Sequence, residues 1–151
     1  MADPSRSTPA RLRSFTTRDY AALAGFRARL RDFLAFTERA ARAAGLTPRQ
    51  HQLLLAIRGR EEPDAPTVGA LARALGLRHH TVVGLVDRCS AAGLVRRLPD
   101  PEDHRRVHVD LTRRGERALE RLTGRHRAEL EALRRALDVA LLARRRDAGR
   151  G

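Results

Sequence analysis

Two short helix-like segments joined by a glycine turn, with two strand-like segments after them, constrain the fold of this chain more than any other feature. The helix-like segments cover residues 68–75 and about 79–92, and Gly76 lies in the turn between them. The strand-like segments cover residues 94–98 and 106–111, with a charged loop between them. This order predicts a helix-turn-helix followed directly by a two-stranded hairpin, which is called a wing.

One long helical pattern precedes this unit and another follows it. From about residue 19 to residue 44, apolar side chains recur at alternating steps of three and four, which predicts a long amphipathic helix that ends at Gly45. Thr47 then begins a shorter helix through a capping box, and Thr112 begins the last long helix. The predicted fold is therefore mainly α, a winged helix-turn-helix with a small β-hairpin wing and long terminal helices.

These patterns divide the chain into a central unit and its flanks. Residues 1–16 are expected to form a flexible basic arm, and residues 147–151 a tail. Residues 46–111 form the predicted winged helix-turn-helix. Residues 17–45 and 112–146 form a helical region, whose first helix carries a heptad-like apolar stripe that favours contact with a second copy of the chain over packing within one chain only.

The charge of the chain favours an anionic partner. The formal net charge is +13, and all 31 basic residues are arginine. Nucleic acid is the commonest partner of so basic a protein. Aromatic residues make up only 3% of the chain, which argues against a base-stacking surface for RNA or single-stranded DNA. No stretch has the uninterrupted apolar run of a membrane span or of a secretory signal, so we expect a cytoplasmic protein.

Several chemistries are disfavoured by the residues present. The single cysteine, Cys89, excludes an intrachain disulfide and a cysteine-rich zinc site, and its position on the buried side of its helix indicates packing rather than redox sensing. The histidines are too scattered to predict a metal site. There is no glycine-rich phosphate loop or nucleophile elbow, so we expect neither an enzyme nor a cofactor.

Four segments together resemble the MarR (multiple antibiotic resistance regulator) family. They are LTPRQHQLLLAI (46–57), TVGALARALGL (67–77), VVGLVDR…AAGLVRR (82–97) and DPEDHRRVHVDLTRRG (100–115). The last segment is the most specific, because it joins an Asp-x-Arg wing tip to a Leu-Thr-x-x-Gly helix start. The resemblance implies a homodimer with a shared helical base, and a transcription regulator, usually a repressor, that responds to a small ligand or to oxidation.

The resemblance also indicates how DNA would be bound. The second helix of the motif is expected to enter the major groove, and a dimer is expected to bind a pseudo-palindrome with half-sites roughly 34 Å apart. The family places a wing-tip arginine, here Arg105, in the minor groove, where Asp103 would hold its guanidinium. The predicted DNA-binding residues are His79, His80, Thr81, Val83, Gly84, Arg88, Arg96, Arg97, Asp103, Arg105 and Arg106.

Two questions stay open at this stage. In the family, small aromatic acids often bind between the helical base and the winged domain; the residues placed there are Phe36, Arg39, His51, Leu55 and Arg58. A small aromatic or anionic effector is one interpretation of this set, and ordinary interface and surface residues are the other. The alternative function is a non-sequence-specific architectural DNA-binding protein, which would share the charge without needing a wing or two-fold symmetry.

Overall fold

The computed structural model describes residues 15–61 and 64–148, with side chains as far as residue 140. Most of the predicted arm and tail, at residues 1–16 and 147–151, lies outside the described residues. The described part consists of α1 (Thr17–Ala43), α2 (Pro48–Arg58), α3 (Val68–Leu75), α4 (His79–Ala91), β1 (Val95–Pro99), β2 (Val107–Leu111) and α5 (Arg113–Ala148). The predicted fold class, helical with a two-stranded wing, is confirmed.

Side-chain caps set where the helices begin. Thr47 and Gln50 form the expected capping box, in which the Gln50 N–H donates to Thr47 Oγ1 at 3.1 Å and the Thr47 N–H donates to Gln50 Oε1 at 2.8 Å. Thr67 caps α3 in the same position. A second capping box, between Thr16 and Asp19, starts α1 slightly earlier than the sequence pattern predicted.

Gly76 makes the turn of the helix-turn-helix. Its φ of +62° lies in the left-handed region, which glycine adopts without strain. In this conformation the Leu77 N–H donates to the Ala72 carbonyl at 3.0 Å and the Gly76 N–H donates to the Arg73 carbonyl at 3.2 Å. This is a Schellman motif, which ends α3 and allows α4 to leave in a new direction.

The wing is an antiparallel pair of β1 and β2. Its register places Val95 opposite Leu111 and Pro99 opposite Val107, so the first strand is shifted by one residue from the predicted 94–98. The wing also attaches to the segment before α3, because the Val109 N–H donates to the Pro66 carbonyl at 2.9 Å. Strand β2 is thus hydrogen-bonded both to β1 and to the segment before α3.

Apolar side chains from α2, α3, α4, β2 and α5 meet in one core. The largest fully buried members are Leu53, Leu54, Ile57, Leu71, Val82, Val86, Cys89, Val109 and Leu122. This core fixes α4 against the hairpin, because Leu85 and Val86 of α4 are buried with Val95 of β1. Removal of this apolar surface from water is the main term that stabilises such a domain.

Helices α1 and α5 pack against each other to form a layer beside the winged domain. Their contact leaves large apolar side chains on the outside of this layer: Tyr20, Leu23, Leu34, Leu130, Leu137 and Val139. Among the described residues, no helix is both long enough and apolar enough to cross a membrane.

Candidate nucleic-acid interface

The first turns of α4 present polar groups to solvent. His79, His80 and Thr81 are exposed, while Val83 and Gly84 are half-buried on the same helix. The opposite face carries the buried residues Val82 and Val86 and therefore anchors the helix in the core. The exposed predicted contact residues of α4 are thus His79, His80, Thr81 and Arg88, whereas Val83 is partly buried against the core.

Arg105 stands at the tip of the wing. Its side chain is 93% exposed, and its Nε donates to Asp103 Oδ1 at 3.3 Å. The Arg105 backbone N–H donates to the same oxygen at 3.0 Å. The predicted contact between Asp103 and Arg105 is therefore present, and one carboxylate oxygen orients both the backbone and the guanidinium.

A groove of 410 Å³ separates the start of α4 from the wing. Three arginines line its wing side, namely Arg97, Arg105 and Arg106, and His79 and Val83 line its helix side. Five of the predicted DNA-binding residues thus converge on one concave surface. An open, cation-lined groove of this kind suits an anionic polymer.

Two predicted phosphate ligands have acidic partners within the chain. Arg97 Nη2 donates to Asp87 Oδ1, which joins β1 to α4. Arg96 Nη2 donates to Asp110 Oδ2 at 3.3 Å, across the hairpin. These pairs are solvent-exposed on the arginine side, so they leave both guanidinium groups accessible while restricting their positions.

The residues predicted for an effector site do not line one common cavity in the described part of the chain. Leu55 lines a 710 Å³ cleft between α2 and α3. Arg58 lines a separate 500 Å³ cleft between α2 and α5. Arg39 is exposed on α1. Phe36 lies against His126 of α5, with ring centroids 5.6 Å apart.

His51, the fifth of these residues, belongs to a buried histidine pair. The rings of His51 and His126 lie 5.2 Å apart, and the two residues are only 4% and 6% exposed. Neither Nε2 atom has a hydrogen-bond partner among the described residues. Burial lowers the pKa of both histidines, and for His51 the nearby His126 lowers it further. Both rings are therefore kept neutral.

Cys89 has the environment of a packing residue. It is fully buried in α4, and burial raises the pKa of its thiol to about 11. Because the thiolate is the reactive form, this environment suppresses oxidation chemistry. No cluster of three or more potential metal ligands occurs in the part of the chain that the structure describes.

Sequence reasoning missed the link between the wing and the segment before α3. His108 in β2 contacts both Ala65 and Asp100, and Thr67 lines the groove described above. Asp100 was visible in the sequence only as a turn residue. A histidine on a half-buried strand gives no signal of its partner, because the partner residue at position 65 is distant in sequence.

Comparison with known proteins finds a family model that matches part of the chain and solved structures of the same fold. The family model described as the MarR family matches residues 44–106. The regulator PecS of Dickeya dadantii is 31% identical over 81 residues, which cover 54% of this chain and 49% of PecS. The chain therefore spans about half the length of this curated relative.

Solved structures of the same fold cover more of the chain. A MepR–DNA complex from S. aureus has a TM-score of 0.62 at 24% identity, over 80% of this chain and 83% of MepR. CouR from Rhodococcus jostii RHA1 bound to p-coumaroyl-CoA has a TM-score of 0.64 at 23% identity, over 88% of this chain and 92% of CouR. AbsC of Streptomyces coelicolor, a MarR family regulator, has a TM-score of 0.64 at 22% identity, over 80% and 81%. At these identities the likeness establishes the fold.

Proposed function

We propose that this chain is a transcription regulator of the MarR family, whose model matches residues 44–106, and that it binds double-stranded DNA sequence-specifically as a homodimer. The observation that carries the proposal is the arginine-lined groove between α4 and the wing. It places the exposed start of a helix and a wing-tip arginine on one face. The DNA complex of MepR, a protein of the same fold, supports this choice of partner. The role is binding rather than catalysis.

In this proposal α4 is the recognition helix and enters the major groove. His80 and Thr81 are exposed at its first turn and offer hydrogen bonds to base edges. Val83 is placed to meet a thymine methyl group, and Arg88 to contact a phosphate. Arg105 extends from the wing into the adjacent minor groove, where a narrow A·T tract concentrates negative potential. With several phosphates neutralised, affinity falls steeply as salt is raised.

The outer apolar face of the α1–α5 layer supports the homodimer. Two copies that pack against each other through this face would hold their recognition helices at a fixed separation. The half-sites would then lie roughly 34 Å apart on a pseudo-palindrome. A dimer bound in this way occupies both half-sites and the DNA between them. We therefore propose repression, by exclusion of other proteins from that stretch.

Selection from a pool of random duplexes tests the proposal against the architectural alternative. A sequence-specific dimer is expected to enrich duplexes with two inverted half-sites about one helical turn apart. An architectural protein would retain the pool without enriching a two-fold symmetric sequence. The enriched duplex then serves as the probe for affinity measurements.

Arg105→Ala is expected to weaken binding to that duplex by roughly tenfold or more, since a side chain inserted into a groove contributes about 1–3 kcal/mol. The fold is expected to remain intact, because the side chain is 93% exposed. Fluorescence anisotropy measures the affinity. Arg121→Ala, on the exposed face of α5, removes the same charge outside the interface and is the matched control. Equal effects of the two substitutions would remove the wing from the mechanism.

We extend the proposal to a small aromatic or anionic effector. The p-coumaroyl-CoA complex of CouR supports ligand response within this fold. The cleft between α2 and α5 is lined by the cations Arg58 and Arg127, by the carboxylates of Glu116 and Glu120, and by apolar Leu119 and Leu130. The two arginines are the groups that would pair with the carboxylate of an aromatic ligand. Such a ligand acts only by binding one spacing of the winged domains better than another. Thermal stabilisation by salicylate that is lost in Arg58→Ala would support this site, and no stabilisation by aromatic acids would exclude it.

A further inference from the structure

His108 lies at the base of the wing with a hydrogen-bond acceptor on each side of its ring. Nδ1 is 2.5 Å from the Ala65 carbonyl oxygen, and Nε2 is 2.8 Å from Asp100 Oδ2. The His108 and Asp100 side chains are both half-buried, with 21% and 13% of their surface exposed. The ring thus bridges the loop before α3 to the loop of the wing, and both loops belong to the groove-forming surface.

The two acceptors determine the protonation state of this ring. A carbonyl oxygen and a carboxylate oxygen only accept hydrogen bonds, so the ring satisfies both of them only when both of its nitrogens carry a proton, which makes the imidazole a cation. The hydrogen bond that the His108 ring donates to Asp100 is the largest cause that raises the pKa of His108, followed by the bond to the Ala65 carbonyl and by the charges of Asp100 and Asp64. The same bond is the largest cause that lowers the pKa of Asp100 to about 2.

From Asp100 the hydrogen bonds continue to the wing tip. Asp100 Oδ1 accepts the N–H groups of Glu102 at 2.8 Å and of Asp103 at 3.0 Å. Asp103 Oδ1 in turn accepts the backbone N–H and the Nε–H of Arg105. A continuous chain of hydrogen bonds therefore runs from Ala65 through His108, Asp100 and Asp103 to Arg105.

We propose that doubly protonated His108 is a positioning residue for Arg105, which holds the wing loop against the winged domain so that DNA affinity weakens when this proton is lost. The inference rests on the proposed function, since it specifies how that function is regulated. Loss of the proton leaves either the Ala65 carbonyl oxygen or Asp100 Oδ2 without the hydrogen bond from His108. The wing loop then loses one of the two hydrogen bonds through which the His108 ring links it to the segment before α3, and the Arg105 side chain is no longer held in one orientation.

The direction of the pH dependence follows from the raised pKa. A group whose pKa is higher in the folded state contributes its stabilisation below the ordinary value of 6.5 and loses it as pH rises through the folded value. The titratable groups that face His108 are Asp100 from the wing loop and Asp64 from the loop after α2. Both are carboxylates, so both favour the cation at neutral pH.

Affinity for the enriched duplex, measured from pH 5.5 to pH 9 at constant salt, tests the proposal. Wild type is expected to lose roughly five- to tenfold in affinity as His108 loses its proton. His108→Gln, which does not titrate, is expected to lack this component and to bind throughout about as the alkaline wild type does. Asp100→Asn keeps an acceptor but removes the charge, so it is expected to move the transition to lower pH.

His104→Gln is the matched control, because His104 is an exposed histidine in the same loop. It is expected to keep the alkaline transition of the wild type. The other exposed histidines, His79 and His80, are present in all variants, so the difference between wild type and His108→Gln isolates His108. Parallel profiles for these two proteins would overturn the proposal.

An NMR titration of the free protein separates this inference from the proposed function. The His108 ring is expected to lose its proton above pH 6.5, and the backbone of residues 102–105 to become more mobile with the same midpoint. Loss of the proton below pH 6.5 would overturn the positioning role, and so would a mobility of residues 102–105 that does not change with pH. Absence of DNA binding at every pH would instead refute the proposed function and the DNA part of this inference, while the titration would still decide whether His108 holds the loop.

Discussion

At Gly115, a hydrogen atom in place of a methyl group allows α5 to begin directly against the wing. An added Cβ would lie 2.1 Å from the Leu94 carbonyl oxygen, a backbone atom that no rotamer change can move. Thr112 reinforces the contact, because its Oγ1 donates to the Gly93 carbonyl at 2.6 Å and accepts the Gly115 N–H at 3.1 Å. The Leu-Thr-x-x-Gly pattern therefore has a steric reason in this chain.

Gly115→Ala is expected to lower the free energy of unfolding by about 1–3 kcal/mol or more, because the helix must move away from the strand. Gly124→Ala, in the same helix, is the matched control, since a Cβ there meets nothing within 4 Å. That control is expected to stabilise by up to about 1 kcal/mol through helix propensity. Urea denaturation measures both variants, and equal stability of Gly115→Ala and wild type would contradict the steric account.

The His51–His126 pair predicts a loss of stability in acid. Both pKa values are lowered in the folded state, chiefly by burial, so the unfolded chain binds more protons below pH 6.5. The pair therefore favours the folded state fully above pH 6.5, and the free energy of unfolding decreases as pH falls below that value. His126→Leu is expected to lose less stability than wild type between pH 7 and pH 5.5 in urea denaturation, whereas exposed His104→Gln should follow wild type. Parallel curves for His126→Leu and wild type would refute the assignment.

Residue-scale features differ in how far the sequence predicts them. The caps at Thr47 and Thr112 are local, because each involves residues within three positions, and both were predicted correctly. The contact of His51 with His126 joins residues far apart in the chain and depends on how α2 and α5 meet. No local pattern carries that information, so the pair was not predicted as a pair.

At the scale of elements, α4 contains a glycine that the free protein does not require. A Cβ at Gly84 would meet only Arg88 Nη1, at 3.5 Å, which is an ordinary contact. A glycine inside a helix costs about 1 kcal/mol relative to alanine. The proposed recognition helix supplies a reason for this cost, because a position without a side chain allows the helix backbone to approach DNA closely.

Gly84→Ala is therefore expected to raise the free energy of unfolding by up to about 1 kcal/mol while weakening DNA affinity. Gly25→Ala, a helical glycine in α1 whose Cβ would meet nothing within 4 Å, should leave DNA affinity unchanged. Chemical denaturation and anisotropy give the two readouts on the same samples. A stabilised Gly84→Ala protein with wild-type affinity would mean that position 84 does not approach DNA.

The order of elements was predictable because each element has its own apolar repeat or its own capping and turn residues. Helical spacing of apolar residues, capping threonines and turn glycines placed all five described helices, and alternation along residues 106–111 placed β2. The strand boundaries shifted by a residue, because Leu94 is buried in the turn rather than paired in the ladder. The convergence of Arg97, Arg105 and Arg106 on one groove depends on the hairpin folding back toward α4, which the sequence indicated only through the family resemblance.

At the scale of the whole molecule, the α1–α5 layer leaves an apolar face that the chain does not cover with its described residues. Leu23 and Leu137 are 56% and 40% exposed, although the heptad-like stripe of α1 made Leu23 a candidate for burial. A single chain gains nothing by exposing them, whereas a second copy would bury them in a symmetric contact. The sequence predicted the stripe, but only the packing of α1 on α5 shows which of its residues remain outside.

Leu23→Glu combined with Leu137→Glu is expected to weaken the dimer by roughly 100-fold or more, since burying the exposed half of each leucine contributes about 0.7–1.5 kcal/mol and two-fold symmetry gives four such leucines. The fold of each subunit should persist, because both side chains are exposed within one chain. Sedimentation equilibrium measures the subunit association, and circular dichroism the helix content. Leu55→Glu, an exposed leucine of the winged domain, should remain dimeric. Because a single subunit contacts only one half-site, the double variant is also expected to lose most of its affinity for the two-fold symmetric duplex. A double variant that stays dimeric, or that binds this duplex normally, would show that α1 and α5 do not pair the subunits.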